Sequence, residues 1–319
     1  MTLHSFLIQD LPMLAAGLLA ALACAIVGCF LVLRRMSLMG DAISHAVLPG
    51  IVGGFLLHTW LDEHGIHTNL PLLFFTGAVL IGVITAGMSE LVHRLGRVEP
   101  GASMGVVFTV LFSIGVIMLE QTGGRTIHLD AECVLYGSME NVLWLNPPAS
   151  ISEFFTAGAW EFFPRQLTTL GLVLLADIAF VVLLFKELRI SAFDPGLAAA
   201  QGVRPGVMHY LLMTFVAITT VASFEAIGSI LVVAMLIVPG LVAHLVSDRL
   251  RNMLWLSAVV ATLASLGGFG AAVAMDVNAA GMIGVMLGAL LLIAAIFAPR
   301  YGWLARMRDA RVTPPEPVA

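Results

Sequence analysis

The sequence predicts an all-α fold, a polytopic membrane bundle of about nine transmembrane helices with the N-terminus outside and the C-terminus cytoplasmic. Composition, run length and charge placement lead to it. Hydrophobic residues make up 60% of the chain and charged residues 11%, whereas soluble domains carry roughly a quarter charged residues. A chain of that kind could not cover itself with polar surface in water. Apolar runs of about 18 residues or more, each able to cross a hydrocarbon core of ~30 Å as a helix, recur along nearly the whole length. They leave little room for a soluble domain.

The predicted spans run approximately Leu11–Leu33, Gly40–Leu57, Leu70–Val92, Ser103–Leu119, Leu167–Phe185, Val207–Ala222, Ala226–Val246, Met253–Met275 and Ala279–Ala298. The first has no basic residue before it and Arg34-Arg35 after it, the reverse of a cleavable signal peptide, so it reads as a retained span. Lys and Arg gather on the cytoplasmic side of membrane proteins. With the N-terminus outside, Arg34, Arg35, Arg94, Arg97, Lys186, Arg189, Arg204, Arg249, Arg251, Arg300, Arg306, Arg308 and Arg311 all fall inside, and only Arg125 and Arg165 fall outside. Omitting one span would invert every later loop, so the distribution supports an odd number.

Two connections are longer than ordinary helix joints. The outer one, roughly Glu120 to Gln166, holds a short amphipathic stretch, His128 to Leu145, interrupted by Asp130, Glu132, Gly137 and Glu140; it reads as a re-entrant or interfacial helix. The inner one, Lys186 to Gly206, contains Asp194-Pro195, an N-cap followed by proline at the first helical position, and Gly202 as a stop. That pattern predicts a short helix on the cytoplasmic face. Residues 1–312 read as one membrane domain, and 313–319, with three prolines, as a disordered cytoplasmic tail.

The chemistry concentrates in the second span. In Met39-Gly40-Asp41-Ala42-Ile43-Ser44-His45-Ala46-Val47-Leu48-Pro49-Gly50, Asp41 and His45 are four apart, which stacks them on one helix face. Ionisable groups inside spans cost ~2.5–3.5 kcal/mol each on insertion scales and mark transport pathways. A carboxylate with an imidazole suits borderline divalent metals, imidazole favouring zinc, iron or copper and carboxylate favouring manganese. Two ligands make half a site, and a second copy of the helix from a partner would complete four. The competing reading is that Asp41 is hydrated near the inner interface and His45 bonds a neighbouring carbonyl. Pro49 and Gly50, just beyond the pair, should loosen the helix.

Other polar residues give weaker signals. Asp177, near the middle of the fifth span, either lines the pathway or bonds a neighbouring helix. Glu225 lies at the outer junction of the sixth and seventh spans. His58, His64 and His67, with Asp62 and Glu63, form an outer loop able to collect cations weakly, although solvated histidines usually do nothing. Cys24, Cys29 and Cys133 form neither a disulfide framework nor a C-x-x-C motif. The basic residues form no patch with interleaved aromatics, so nucleic acid is not an expected partner. The chain lacks G-x-x-x-x-G-K-[ST], and Lys186 is its only lysine, so it is not its own P-loop ATPase. H-E-x-x-H and G-x-S-x-G are also absent, which argues against an intramembrane hydrolase.

The segments MSLMGDAISHAVLPG, LDAECVLYGS, SAFDPGLAAAQGV and SFEAIGSILVVAMLIVP, in that order, resemble the manganese/zinc/iron permeases of ATP-binding-cassette (ABC) importers, and more the manganese or iron branch. The resemblance spans about Leu11 to Ala298. It implies a permease of the bacterial plasma (inner) membrane that is not itself an enzyme. Its implied partners are a second permease subunit (identical or sister), a cytoplasmic ABC ATPase dimer and an extracytoplasmic metal-binding protein, within membrane lipid. By position, Asp41 and His45 match the metal-binding pair. Asp194, Pro195, Gly196, Leu197, Ala198, Gln201 and Gly202 match the coupling helix that enters a groove in the ATPase. Asp130, Glu132, Leu135 and Tyr136 fall in the short outer helix that helps close the path. Arg97 to Ser103 match an inner loop that narrows the exit. No permanently bound cofactor is implied; the transported ion is Mn2+, or Zn2+ or Fe2+. The alternative from the residues alone is an ion-coupled secondary carrier in which Asp177 and Glu225 serve as coupling carboxylates.

Overall fold

The computed structural model describes residues 10–36, 38–121, 139, 142–144, 163–299 and 302–303. Across these the chain forms twelve helices: α1 (Leu11–Leu33), α2 (Met39–Ala46), α3 (Leu48–Glu63), α4 (Leu70–Gly96), α5 (Pro100–Gln121), α6 (Arg165–Leu183), α7 (Phe185–Phe193), α8 (Pro195–Ala200), α9 (Pro205–Ile227), α10 (Ser229–Val246), α11 (Leu250–Met275) and α12 (Ala279–Phe297). Among the described residues, nine helical segments are long and apolar enough to cross a membrane, with α2 and α3 counted together as Met39–Glu63. They match the nine predicted spans one for one.

Differences lie at the edges and in one interior break. The second span is divided at Val47, a turn between α2 and α3, because Pro49 has no N–H to give to the carbonyl of His45. Val47 O instead accepts from both Gly50 N (2.9 Å) and Ile51 N (3.1 Å), which restarts the helix. The sixth span continues to Ile227, five residues beyond its predicted end, so Glu225 lies within the last turn of α9. The stop is Gly228, whose φ of +85° a residue with a Cβ rarely adopts.

The core is built around α1, which packs against α6, α9, α10 and α11. Within its apolar window 67% of residues are buried, against 17% in α12, so α1 is central and α12 peripheral. Small residues allow that position: Ala16, Ala20, Ala21, Ala23 and Ala25 are fully or almost fully buried, and they let neighbouring backbones approach. Gly28 is the extreme case, where a Cβ would lie 1.9 Å from the Leu236 carbonyl oxygen of α10.

A second group of helices, α3, α4 and α5, packs together with α2 wedged against α4, α5, α9 and α10. The large apolar residues left outside, among them Leu80, Val106, Leu172, Leu183, Trp255 and Val285, are what a lipid-facing perimeter requires. Burying them would gain nothing in hydrocarbon.

Candidate metal centre

The centre begins with the amphipathic character of α2. Met39, Gly40, Ala42, Ile43, Ser44 and Ala46 are buried, and Asp41 and His45 stand on the remaining face. Gly40 lets this helix lie flat against Leu236, whose side chain would sit 3.3 Å from a Cβ there. His45 Nε2 is 3.4 Å from Asp41 Oδ1, with the two side chains 37% and 41% exposed. The i, i+4 spacing therefore converges on one point of an open face. Ser44 Oγ donates to the Asp41 carbonyl (2.8 Å) and so leaves the carboxylate free of it. The Phe108 ring of α5 lies 5.7 Å from the His45 imidazole and borders the pair on one side.

Close backbone crossings hold the break behind the pair. A Cβ on Gly50 would lie 2.4 Å from Gly77 O, and one on Gly77 would lie 2.3 Å from Gly50 O, so α3 and α4 meet backbone to backbone. Gly115 of α5 brings that helix against Pro49, where a Cβ would stand 2.7 Å from the proline ring. Among the described residues no group of three or more His, Cys, Asp or Glu side chains is disposed to hold a metal. Asp41 and His45 thus stand as a pair, without a third such side chain beside them among the described residues. An imidazole nitrogen and a carboxylate oxygen on an accessible face offer two of the four to six ligands a divalent ion takes.

The other predicted residues do not join the pair. Asp177 is fully buried between α6 and α9, where Thr219 Oγ1 donates to its Oδ2 at 2.8 Å; its Oδ1 has no hydrogen-bond partner. Nearby, the Cys24 thiol donates to Ser223 Oγ at 3.5 Å. Glu225 is exposed and lines a cavity of about 430 Å³ with Arg165, Gln166, Phe74 and Phe75, which also reaches Val47 and Ile51 at the helix break. At the end of α3 and in the turn that follows it, His67 meets Asp62 (3.1 Å), His58 meets Thr68 (2.7 Å) and His64 meets the Trp60 carbonyl (2.7 Å). These three histidines do not converge. Asp130, Glu132, Leu135 and Tyr136 lie outside the described residues.

On the opposite end of the bundle from that turn, Asp194 caps α8: its Oδ1 accepts from Leu197 N at 2.9 Å. Gly202, at φ +81°, ends the turn, and Gly196, Leu197, Ala199 and Ala200 remain exposed. A cavity of about 690 Å³ separates α7 and α8 from the start of α11, lined by Arg189, Asp194, Leu197, Asp248, Arg249 and Arg251 among others. Sequence reasoning missed a cluster joining Arg34, Glu90, Ser191 and His209, from four different elements. An arginine following a span and a histidine near the start of another carry no spacing signal that would pair them.

Nine apolar spans among the described residues, one of them broken beside an accessible Asp–His pair, define a multi-pass membrane protein. The ABC 3 transport family matches residues 8–145 and 163–298, and the chain belongs to that family. It is 39% identical over 293 residues to the manganese transport system membrane protein MntD of Bacillus subtilis, covering 92% of this chain and 93% of that one. To the zinc transport system membrane protein TroD of Treponema pallidum it is 38% identical over 290 residues, covering 91% and 74%. The solved structure of PsaBC from Streptococcus pneumoniae in complex with Fab superposes with a TM-score of 0.70 at 28% identity, covering 92% of this chain and 94% of the other.

Proposed function

We propose that this chain is the membrane permease subunit of an ABC importer for a divalent transition metal, manganese first and zinc or iron after it. The observation that carries the reading is the Asp41–His45 pair, 3.4 Å apart on an exposed face of a span that breaks immediately beyond it. Charged and imidazole side chains left open on a membrane helix are unfavourable unless something meets them. A second permease, identical or sister, would meet them with its own pair and complete a four-ligand site on the axis between the subunits. Relatives named for manganese and for zinc transport support the class of cargo. First-row divalent ions share such ligands, and availability as well as geometry selects among them.

In this reading an extracytoplasmic metal-binding protein delivers the ion, and Asp41 and His45 from each subunit hold it. Asp130, Glu132, Leu135 and Tyr136 help close the outer side. A separate cytoplasmic ATPase dimer, docked on Asp194 to Gly202, drives the exchange of outer and inner gates in a bacterial plasma membrane. The chain carries no phosphate-binding loop of its own and acts as a transport subunit, with ATP hydrolysis in the partner. An ion-coupled carrier, with Asp177 and Glu225 as coupling groups, has less support: Asp177 engages Thr219 inside the subunit, away from the open face of α2.

The test is uptake of radioactive manganese into vesicles holding the permease, its ATPase and ATP. Asp41→Ala and His45→Ala should each abolish uptake while leaving the assembled complex intact. Normal uptake by both variants would remove the site, and uptake driven by a proton gradient without any ATPase would remove the ABC reading.

A further inference from the structure

We infer that Arg34 and Glu90, acting through His209, are positioning residues that fasten the coupling segment α7–α8 to the helices bearing the metal pair. The inference rests on the proposed function, because it assigns a route by which ATPase movement reaches Asp41 and His45.

The geometry is a chain of polar contacts among four elements. Arg34, the C-cap of α1, donates through one terminal nitrogen to Ser191 Oγ of α7 at 2.9 Å. Its other terminal nitrogen lies 3.3 Å from His209 Nδ1 of α9. His209 Nε2 faces Glu90 Oε2 of α4 at 3.7 Å, with those side chains only 11% and 14% exposed. Glu90 also receives Arg94 from its own helix. A guanidinium is planar and presents separate nitrogens in a rigid fork, so one arginine can hold two helices at a set angle.

Both ends of this chain have consequences. Ser191 lies three residues before Asp194, the cap of α8, so the segment exposed for ATPase docking is tied to Arg34. Arg34 in turn lies in the corner that leads directly into α2, and Met36 O and Leu38 O accept the first amides of that helix, from Met39 and Ala42. At the far end, Glu90 sits on α4, against which α2 and α3 both pack. Movement of α7 can therefore reach the metal pair from in front, through the α1–α2 corner, and from behind, through α4.

A purely stabilising role explains the cluster poorly. Enclosed ionic groups lose much of their attraction to desolvation, and apolar replacements are often as stable. Arg34 Nε and His209 Nε2 are buried and have no hydrogen-bond partner, a condition uncommon among buried polar groups and one that calls for a reason beyond stability. The His209–Glu90 separation is longer than a hydrogen bond, and an approach of roughly 0.5–1 Å would make one. A small shift of α9 towards α4 would therefore give the cluster a second, better satisfied arrangement, the kind of discrete step by which packed elements switch.

The experiment uses the whole complex of permease and ATPase in vesicles, comparing wild type with Arg34→Gln and Ser191→Ala. Three quantities are read: manganese moved per ATP hydrolysed, manganese affinity, and ATPase retained on the permease. Arg34→Gln should lower the manganese moved per ATP about tenfold, the scale of losing one charge-assisted hydrogen bond between coupled sites. Ser191→Ala should lower it in the same direction by a smaller factor. Manganese affinity and ATPase retention should stay at wild-type levels in Ser191→Ala, which removes only one hydroxyl and decides the matter if Arg34→Gln fails to assemble. Unchanged transport per ATP in Ser191→Ala, or a fall matched by lost manganese binding or lost ATPase, overturns the inference. If the wild-type complex shows no ATP-driven manganese uptake, the proposed function fails and takes this inference with it; if wild type transports and the variants match it, only the inference falls.

Discussion

Substituting Gly50 by alanine should push α3 and α4 apart directly behind Asp41 and His45. The new Cβ would stand 2.4 Å from the Gly77 carbonyl oxygen, where ordinary contacts begin at 3.4 Å. The helices must therefore separate by roughly 1 Å, since a backbone carbonyl cannot rotate away as a side chain can, and overpacking of this kind costs typically ~1–3 kcal/mol. Gly77→Ala meets the same obstacle from the other side, at 2.3 Å from Gly50 O. Because one separation relieves both clashes, the double variant should cost about as much as the worse single one, a non-additive cycle expected of residues sharing one contact. Gly53 is the control on the same helix: nothing lies within 4 Å of a Cβ there. Gly53→Ala should be neutral or stabilising by up to ~1 kcal/mol, as alanine is the better helix former. The assay is reversible unfolding of the purified permease in mixed micelles, read by circular dichroism, with manganese affinity measured alongside. A Gly50→Ala protein as stable as Gly53→Ala, or a double variant whose loss equals the sum of the singles, would refute the reasoning.

Two further expectations concern polar groups. Thr219→Val should destabilise the bundle by ~1–3 kcal/mol, because it removes the hydroxyl that donates to Asp177 Oδ2 and leaves a buried carboxyl without its partner; an unchanged unfolding midpoint in micelles would show that the bond contributes nothing. Asp194→Ala should cost α8 about 0.5–2 kcal/mol of cap stability, seen as faster hydrogen exchange at the Leu197 amide that Asp194 now binds, together with weaker retention of the ATPase. Wild-type exchange at Leu197 would show that the cap is not what holds that turn.

The number and type of the spans were legible in the sequence because each depends on a local run of apolar residues. Leu11–Leu33 matches the observed helix at both ends. Where the ends were misjudged, as at Ile227 rather than Ala222, the helix continues through a polar residue, Glu225, that an apolar-run criterion treats as a boundary. The Asp41–His45 pair was readable for the same local reason: a spacing of four places two side chains together on a helix whatever surrounds it. Pro49 announced the break at Val47 in the same way, by lacking a donor.

Contacts between distant segments were beyond that kind of reading. Arg34 and His209 are 175 positions apart, and Asp177 and Thr219 are 42 apart, so no periodicity links them. Whether Asp177 would face a pathway or another helix was left open by its sequence; packing of α6 on α9 turned it to Thr219. Likewise, a glycine-rich composition announces close helices without saying which glycines touch, and only the crossing of α3 and α4 joins Gly50 to Gly77. By itself, then, the sequence determined what one helix can express: its length, its apolar face, its caps, and a carboxylate and an imidazole a turn apart. The tertiary structure decided which faces meet, because side chains such as the Arg34 guanidinium acquire partners only after the helices bearing those partners have packed.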